Sequence, residues 1–117
     1  MNKSFNELNI NNSIVVGLEK QNITIPTGIQ ETAIPFALEN KDIIAEAHTG
    51  TGKTLAFLIP IFEKINVEKR EMQAIILAPT HELVVQIESQ IKLLSTNSGI
   101  NVTSLSIMGE SNIEKQI

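Results

Sequence analysis

The run Ala47-His-Thr-Gly-Thr-Gly-Lys-Thr54 constrains this 117-residue chain more than any other stretch. An apolar segment, 42–47, precedes it, and a stretch with helical periodicity, 53–65, follows it. Glycines at 50 and 52 admit backbone angles that turn successive N–H groups inward around an anion. The positive end of the following helix adds to the attraction. In such a loop Lys53 reaches the β- and γ-phosphates of a nucleotide, and the Thr54 hydroxyl ligates Mg²⁺. Ala47 stands where the general pattern has Gly. Thr49 belongs to the loop, and His48 and Thr51 fill positions that the pattern leaves free, so they carry no catalytic role. A plain Gly-rich turn is the alternative, but it does not require Lys-Thr at its end.

The rest of the chain repeats the alternation. Asn12-Ser13 caps a predicted helix through about residue 21, and Asn22 suits a left-handed stop. Thr27 with Gln30 fits a capping box for a second helix toward Leu38. After the loop and its helix, QAIILA at 73–78 reads as a second strand. Residues 81–94 then place Leu83, Ile87, Ile91 and Leu94 on one helical stripe, broken at Asn97-Ser98-Gly99. A third strand is expected over 102–107, and Ser111 with Glu114 looks like another capping box. Strands alternating with helices imply an α/β fold, a parallel sheet with helices on both faces.

Composition narrows the function. A net charge of -4 argues against a domain that holds nucleic acid by a basic surface, and Lys69-Arg70 reads as a solvated turn. There is no cysteine, and His48 and His81 are the only histidines, so a thiolate or histidine metal site is not expected. No stretch is apolar for long enough to span a bilayer, and a cytoplasmic protein is the default reading.

Three segments carry a family resemblance. Asn22-Ile-Thr-Ile-Pro-Thr-Gly-Ile-Gln30, with Phe5 upstream, looks like the Q motif of DEAD-box ATP-dependent RNA helicases; the loop at 47–54 and Ala78-Pro-Thr-His-Glu-Leu83 follow in that family's order. The resemblance covers nearly all of residues 1–117 and implies the N-terminal part of a first RecA-like motor domain. It implies that Gln30 hydrogen-bonds the adenine of ATP and that Phe5 or Ile23 packs on the ring. An amide suits that task, because it offers a donor and an acceptor together. Read from the residues alone, Gln30 is equally a helix cap and Phe5 a core aromatic.

The resemblance also implies contact between the RNA backbone and Pro79, Thr80 and His81. His81 stands where the family has Arg, and a neutral imidazole lacks the permanent charge and forked donors of that side chain. Thr80 can cap a helix and still leave N–H groups for a phosphate. Gly109 falls where the family carries paired glycines near RNA, with Glu110 in place of the second. Asn22 and Ile23 replace Gly-Phe, and Gly28 replaces a common Pro.

The resemblance implies further parts that these residues do not contain: an acidic DEAD segment, a Ser-Ala-Thr segment and a second RecA-like domain with arginine fingers. The expectation is therefore ATP and Mg²⁺ binding without turnover by these 117 residues alone, and weak RNA binding. An incomplete sheet would leave an edge suited to self-association or a partner chain. Two other readings stay open. An ATP-binding module unrelated to RNA would keep the loop without needing Phe5, Gln30 and Pro79-Thr80. A catalytically silent interaction fragment would keep the fold and bind no nucleotide.

Overall fold

The computed structural model describes residues 4–48 and 52–108. A 3-10 turn, Phe5–Leu8, precedes four α-helices: α1, Asn12–Lys20; α2, Gly28–Leu38; α3, Lys53–Lys64; and α4, His81–Ser98. The expected helices are all present. Their ends follow from local chemistry. The Asn11 side chain accepts from Ser13 N at 2.8 Å and caps α1, one residue before the expected cap, so Asn12 is already helical. Asn22 then takes a φ of 62°, the expected left-handed stop. Helix α4 runs a turn beyond the expected 81–94 because Asn97 and Ser98 remain helical, and Gly99, at φ 77°, ends it. The helix expected from Ser111 lies outside the described residues.

One core joins all four helices. Ile14, Leu18, Ile34, Leu58, Ile59 and Leu94 are fully enclosed, and Phe5 and Leu8 of the first turn lie among them. Burial of a Leu or Ile side chain stabilises by roughly 1.5–3 kcal/mol, so this cluster holds the helices together. Helix α1 lies on α4 and α2 on α3. The first pair approaches closely through Gly17, where a Cβ would fall 2.8 Å from the backbone nitrogen of Ser98.

The three expected strands give a different result. Residues 42–47, 73–78 and 102–107 form no strand, and among the described residues no backbone hydrogen bond joins one of these segments to another. Each runs along the helical core instead. Ile76, Ala78 and Val102 pack against the core, whereas Ile44 and Leu77 are 105% and 91% exposed. Apolar residues on both faces are the pattern of a strand buried on both sides in a parallel sheet. The helices gather around one core and do not form two layers. Right-handed crossovers that advance in one direction leave successive helices on the same side. Among the described residues no helix is long and apolar enough to cross a membrane.

Side chains replace sheet pairing in fixing the last segments. Gln73 accepts from Asn66 N at 2.8 Å and donates to Asn66 O at 2.9 Å, which closes the loop after α3. The Ser95 hydroxyl donates to Ile100 O at 2.8 Å and accepts from Val102 N at 3.1 Å, folding the chain back after α4. Further along, Ser106 donates to the Glu88 carboxylate.

Candidate nucleotide site

Two helix starts meet at one corner. At the first, Thr27 is extended and caps α2: Gln30 N donates to Thr27 Oγ1 at 3.4 Å, and Thr27 N donates to Gln30 Oε1 at 2.9 Å. This is the capping box that the sequence predicts, and it satisfies two donors that the helix itself cannot. At the second, Gly52 takes φ 83° and ψ 24°, a left-handed conformation open to glycine at little cost, and α3 begins at Lys53.

The two starts are bonded to each other. Gln30 Nε2 donates to the carbonyl oxygen of Gly52 at 3.1 Å. The same oxygen accepts from Ala56 N at 3.2 Å, so both of its lone pairs are engaged. Gln30 is 2% exposed and is the one buried polar residue beneath the loop among the described residues. Contact is close enough to exclude any side chain at 52, because a Cβ there would fall 2.4 Å from Gln30 Nε2 and 3.0 Å from Thr27 Oγ1. Glycine is thus required at 52 for its φ and for its size.

The chemistry available at this corner suits an anion. Helix α3 has no side-chain cap, which leaves its first N–H groups and the positive end of its dipole for a ligand. Lys53 is exposed and forms no ion pair with a described residue, and Thr54 is half-buried beside it. Among the described residues no three His, Cys, Asp or Glu side chains cluster as metal ligands. A lone hydroxyl at Thr54 fits a Mg²⁺ ion held largely by phosphate oxygens and water, the usual way that ion is bound beside a nucleotide. Ala47 is half-buried and His48 exposed; Thr49, Gly50 and Thr51 lie outside the described residues.

The residues expected around a base are placed unequally. Phe5 is 2% exposed, with its ring inside the core, so in this conformation it supports the corner from below. Ile23 is half-buried at the edge of the same core and keeps an accessible surface. The expected RNA-contact residues sit at a third helix start. Thr80 caps α4, its Oγ1 accepting from Leu83 N at 3.1 Å, and Pro79, Thr80 and His81 are all exposed. Gly109 lies outside the described residues. Sequence reasoning placed Gln30 and Gly52 separately and missed their bond, which spans 22 residues and has no local signature.

Known proteins match the same arrangement. A family description for the DEAD/DEAH box helicases matches residues 27–117. The chain is 45% identical over 113 residues to the DEAD-box ATP-dependent RNA helicase CshA of Streptococcus pneumoniae, covering 97% of this chain and 21% of that protein. The enzyme of the same name from Geobacillus kaustophilus is 40% identical over 114 residues, with 97% and 24% covered. Among solved structures, a DEAD box protein from Methanococcus jannaschii superposes with a TM-score of 0.90 at 36% identity, over 99% of this chain and 32% of that one. The RNA-helicase Prp28 from Chaetomium thermophilum, bound to ADP, gives 0.83 at 35% identity, over 97% and 28%.

The chain belongs to the DEAD/DEAH box helicase family. Its fold is that of the front of a RecA-like helicase domain. It spans between a fifth and a quarter of the length of the curated relatives it matches.

Proposed function

We propose that this chain is the nucleotide-gripping front of the first motor domain of an ATP-dependent RNA helicase. The observation that carries the reading is the corner where buried Gln30 is bonded to Gly52, one residue before Lys53. Gln30 reads the adenine edge, Ile23 covers the ring, and Phe5 holds the turn beneath them. The backbone of 47–52 and the first turn of α3 cradle the phosphates, Lys53 neutralises their charge, and Thr54 binds the accompanying Mg²⁺. The ion, when bound, screens the phosphate charge and orients the terminal phosphoryl group.

In this reading residues 42–47, 73–78 and 102–107 are strands of a parallel sheet whose other members belong to a longer protein, in which a second RecA-like domain completes the motor. Their exposed apolar side chains support it, since such residues favour a covering layer. A short chain carrying this surface alone self-associates through it. RNA meets the start of α4 at Pro79, Thr80 and His81, with Gly109 close by in the family's order. The site of action is the cytoplasm. Binding and hydrolysis of ATP in the complete protein drive separation of RNA strands.

Calorimetric titration of the chain with Mg-ATP and Mg-GTP tests the base-reading half. ATP is expected to bind more tightly by about three- to tenfold, the worth of one or two neutral hydrogen bonds. Equal affinities would remove Gln30 from the role of adenine reader.

A further inference from the structure

We infer that Gln30 is also a positioning residue for the phosphate grip, acting through the carbonyl of Gly52 whether or not a base is present. The inference rests on the nucleotide-site reading above and extends it to a base-independent role.

Gln30 holds the two helix starts in one register. Its oxygen accepts from Thr27 N at 2.9 Å, which fixes it to α2, and its nitrogen donates to Gly52 O at 3.1 Å, which fixes α3. The carbonyl that it holds is the first acceptor of α3, bonded also to Ala56 N. Rotating the Gly52 peptide would therefore break two bonds and press the backbone into Gln30 and Thr27, already near contact. Lys53 and the N–H groups of the first turn follow directly from that peptide, so their aim at a phosphate is set by the amide of Gln30. Burial strengthens the effect, because at 2% exposure water cannot replace the donor. The bond to Gly52 uses one of the two amide hydrogens, and the capping bond uses one of the two oxygen lone pairs. The other hydrogen and lone pair are what remain for a base.

The test uses Mg-tripolyphosphate, which carries the phosphates of ATP and no base, titrated by calorimetry into the 117-residue chain. Gln30→Met keeps the length of the side chain and removes both bonds. Thr27→Ala removes the hydroxyl half of the capping box and leaves the bond to Gly52. The expected result is tripolyphosphate affinity about three- to tenfold lower for Gln30→Met and within about twofold of the unaltered chain for Thr27→Ala. Should Gln30→Met fail to fold by circular dichroism, Gln30→Glu retains an acceptor for Thr27 N and lacks the donor to Gly52. Its loss relative to the unaltered chain should persist between about 0.1 and 1 M salt, where a purely coulombic penalty would fade.

Unchanged tripolyphosphate affinity in Gln30→Met, with ATP affinity reduced, would leave Gln30 a base reader only and overturn the inference. So would an unaltered chain that binds ATP but not tripolyphosphate. An unaltered chain that binds neither ligand would overturn the phosphate-loop reading itself.

Discussion

The start of α3 and the start of α4 both follow an extended apolar segment, yet they are fixed by different means. At α3 the backbone is held by a buried amide from another helix, 22 residues away, and the helix has no side-chain cap of its own. At α4 the fixing is local and exposed: Thr80 Oγ1 accepts from Leu83 N three residues on. The first arrangement leaves its N–H groups open and makes their position a tertiary property. The second satisfies one of those groups from within and depends on nothing else in the fold. A nucleotide site gains from the first, because preorganised donors need not be gathered when the ligand arrives. A surface that meets a polymer backbone can accept the second.

The largest expected effect falls on the α3 corner. Lys53→Ala removes the one cation there among the described residues, and a hydrogen bond to a charged group is worth about 1.5–3 kcal/mol. Nucleotide affinity should fall by roughly ten- to hundredfold. Because Lys53 is exposed and forms no ion pair with a described residue, stability should move by no more than about 0.5 kcal/mol. Calorimetry reads the first quantity and chemical denaturation the second. Unfolding of the variant would mean that Lys53 braces the corner, and the contrast between an open α3 start and a self-contained α4 start would then fail.

The same contrast explains what the sequence could disclose. Signals that act within a few residues were legible: the Thr27 and Gln30 capping box, the left-handed stop at Asn22 and the Thr80 cap all appear in the structure. Where two neighbouring residues compete for one local role, the sequence misplaced it by a residue, and Asn11 caps α1 in place of Asn12. Long-range choices were not legible. Nothing local tells which of many carbonyls a glutamine amide will reach, so the bond from Gln30 to Gly52 was hidden. Phe5 illustrates the same gap. An isolated aromatic fits a core and a ligand equally well until burial is known, and its ring is enclosed. Pairing of 42–47, 73–78 and 102–107 is also non-local. Their composition shows that they suit a sheet, but not which segment would lie beside which.

A smaller effect is expected at α4. Thr80→Ala should destabilise the fold by about 1 kcal/mol, as loss of an N-cap typically does. ATP affinity should stay within about twofold, because the cap touches only its own helix. Thermal or urea unfolding gives the first number and calorimetry the second. A fall in ATP affinity matching that of Lys53→Ala would show that the two helix starts are coupled and that α4 is not the self-contained element described here.

The smallest effect concerns the far side of α4, where the exposed segment 102–107 is tethered by side chains. Ser106 donates to the Glu88 carboxylate, and this bond is the main cause holding the carboxyl below its ordinary value of 4.5. Burial opposes the shift, and Lys92, 3.4 Å away, adds to it. A carboxyl with a lowered folded-state pKa binds protons less readily when folded than when unfolded. Its contribution to stability is present above about pH 4.5 and is lost as pH falls through that value toward the folded pKa. Ser106→Ala should therefore lower stability at neutral pH by no more than about 1 kcal/mol and by progressively less toward acid, so that the two chains converge. Urea unfolding across that window reads the difference directly. A constant difference at every pH would mean that Ser106 acts through packing alone, and that this segment is held to α4 by apolar contacts like those of Val102.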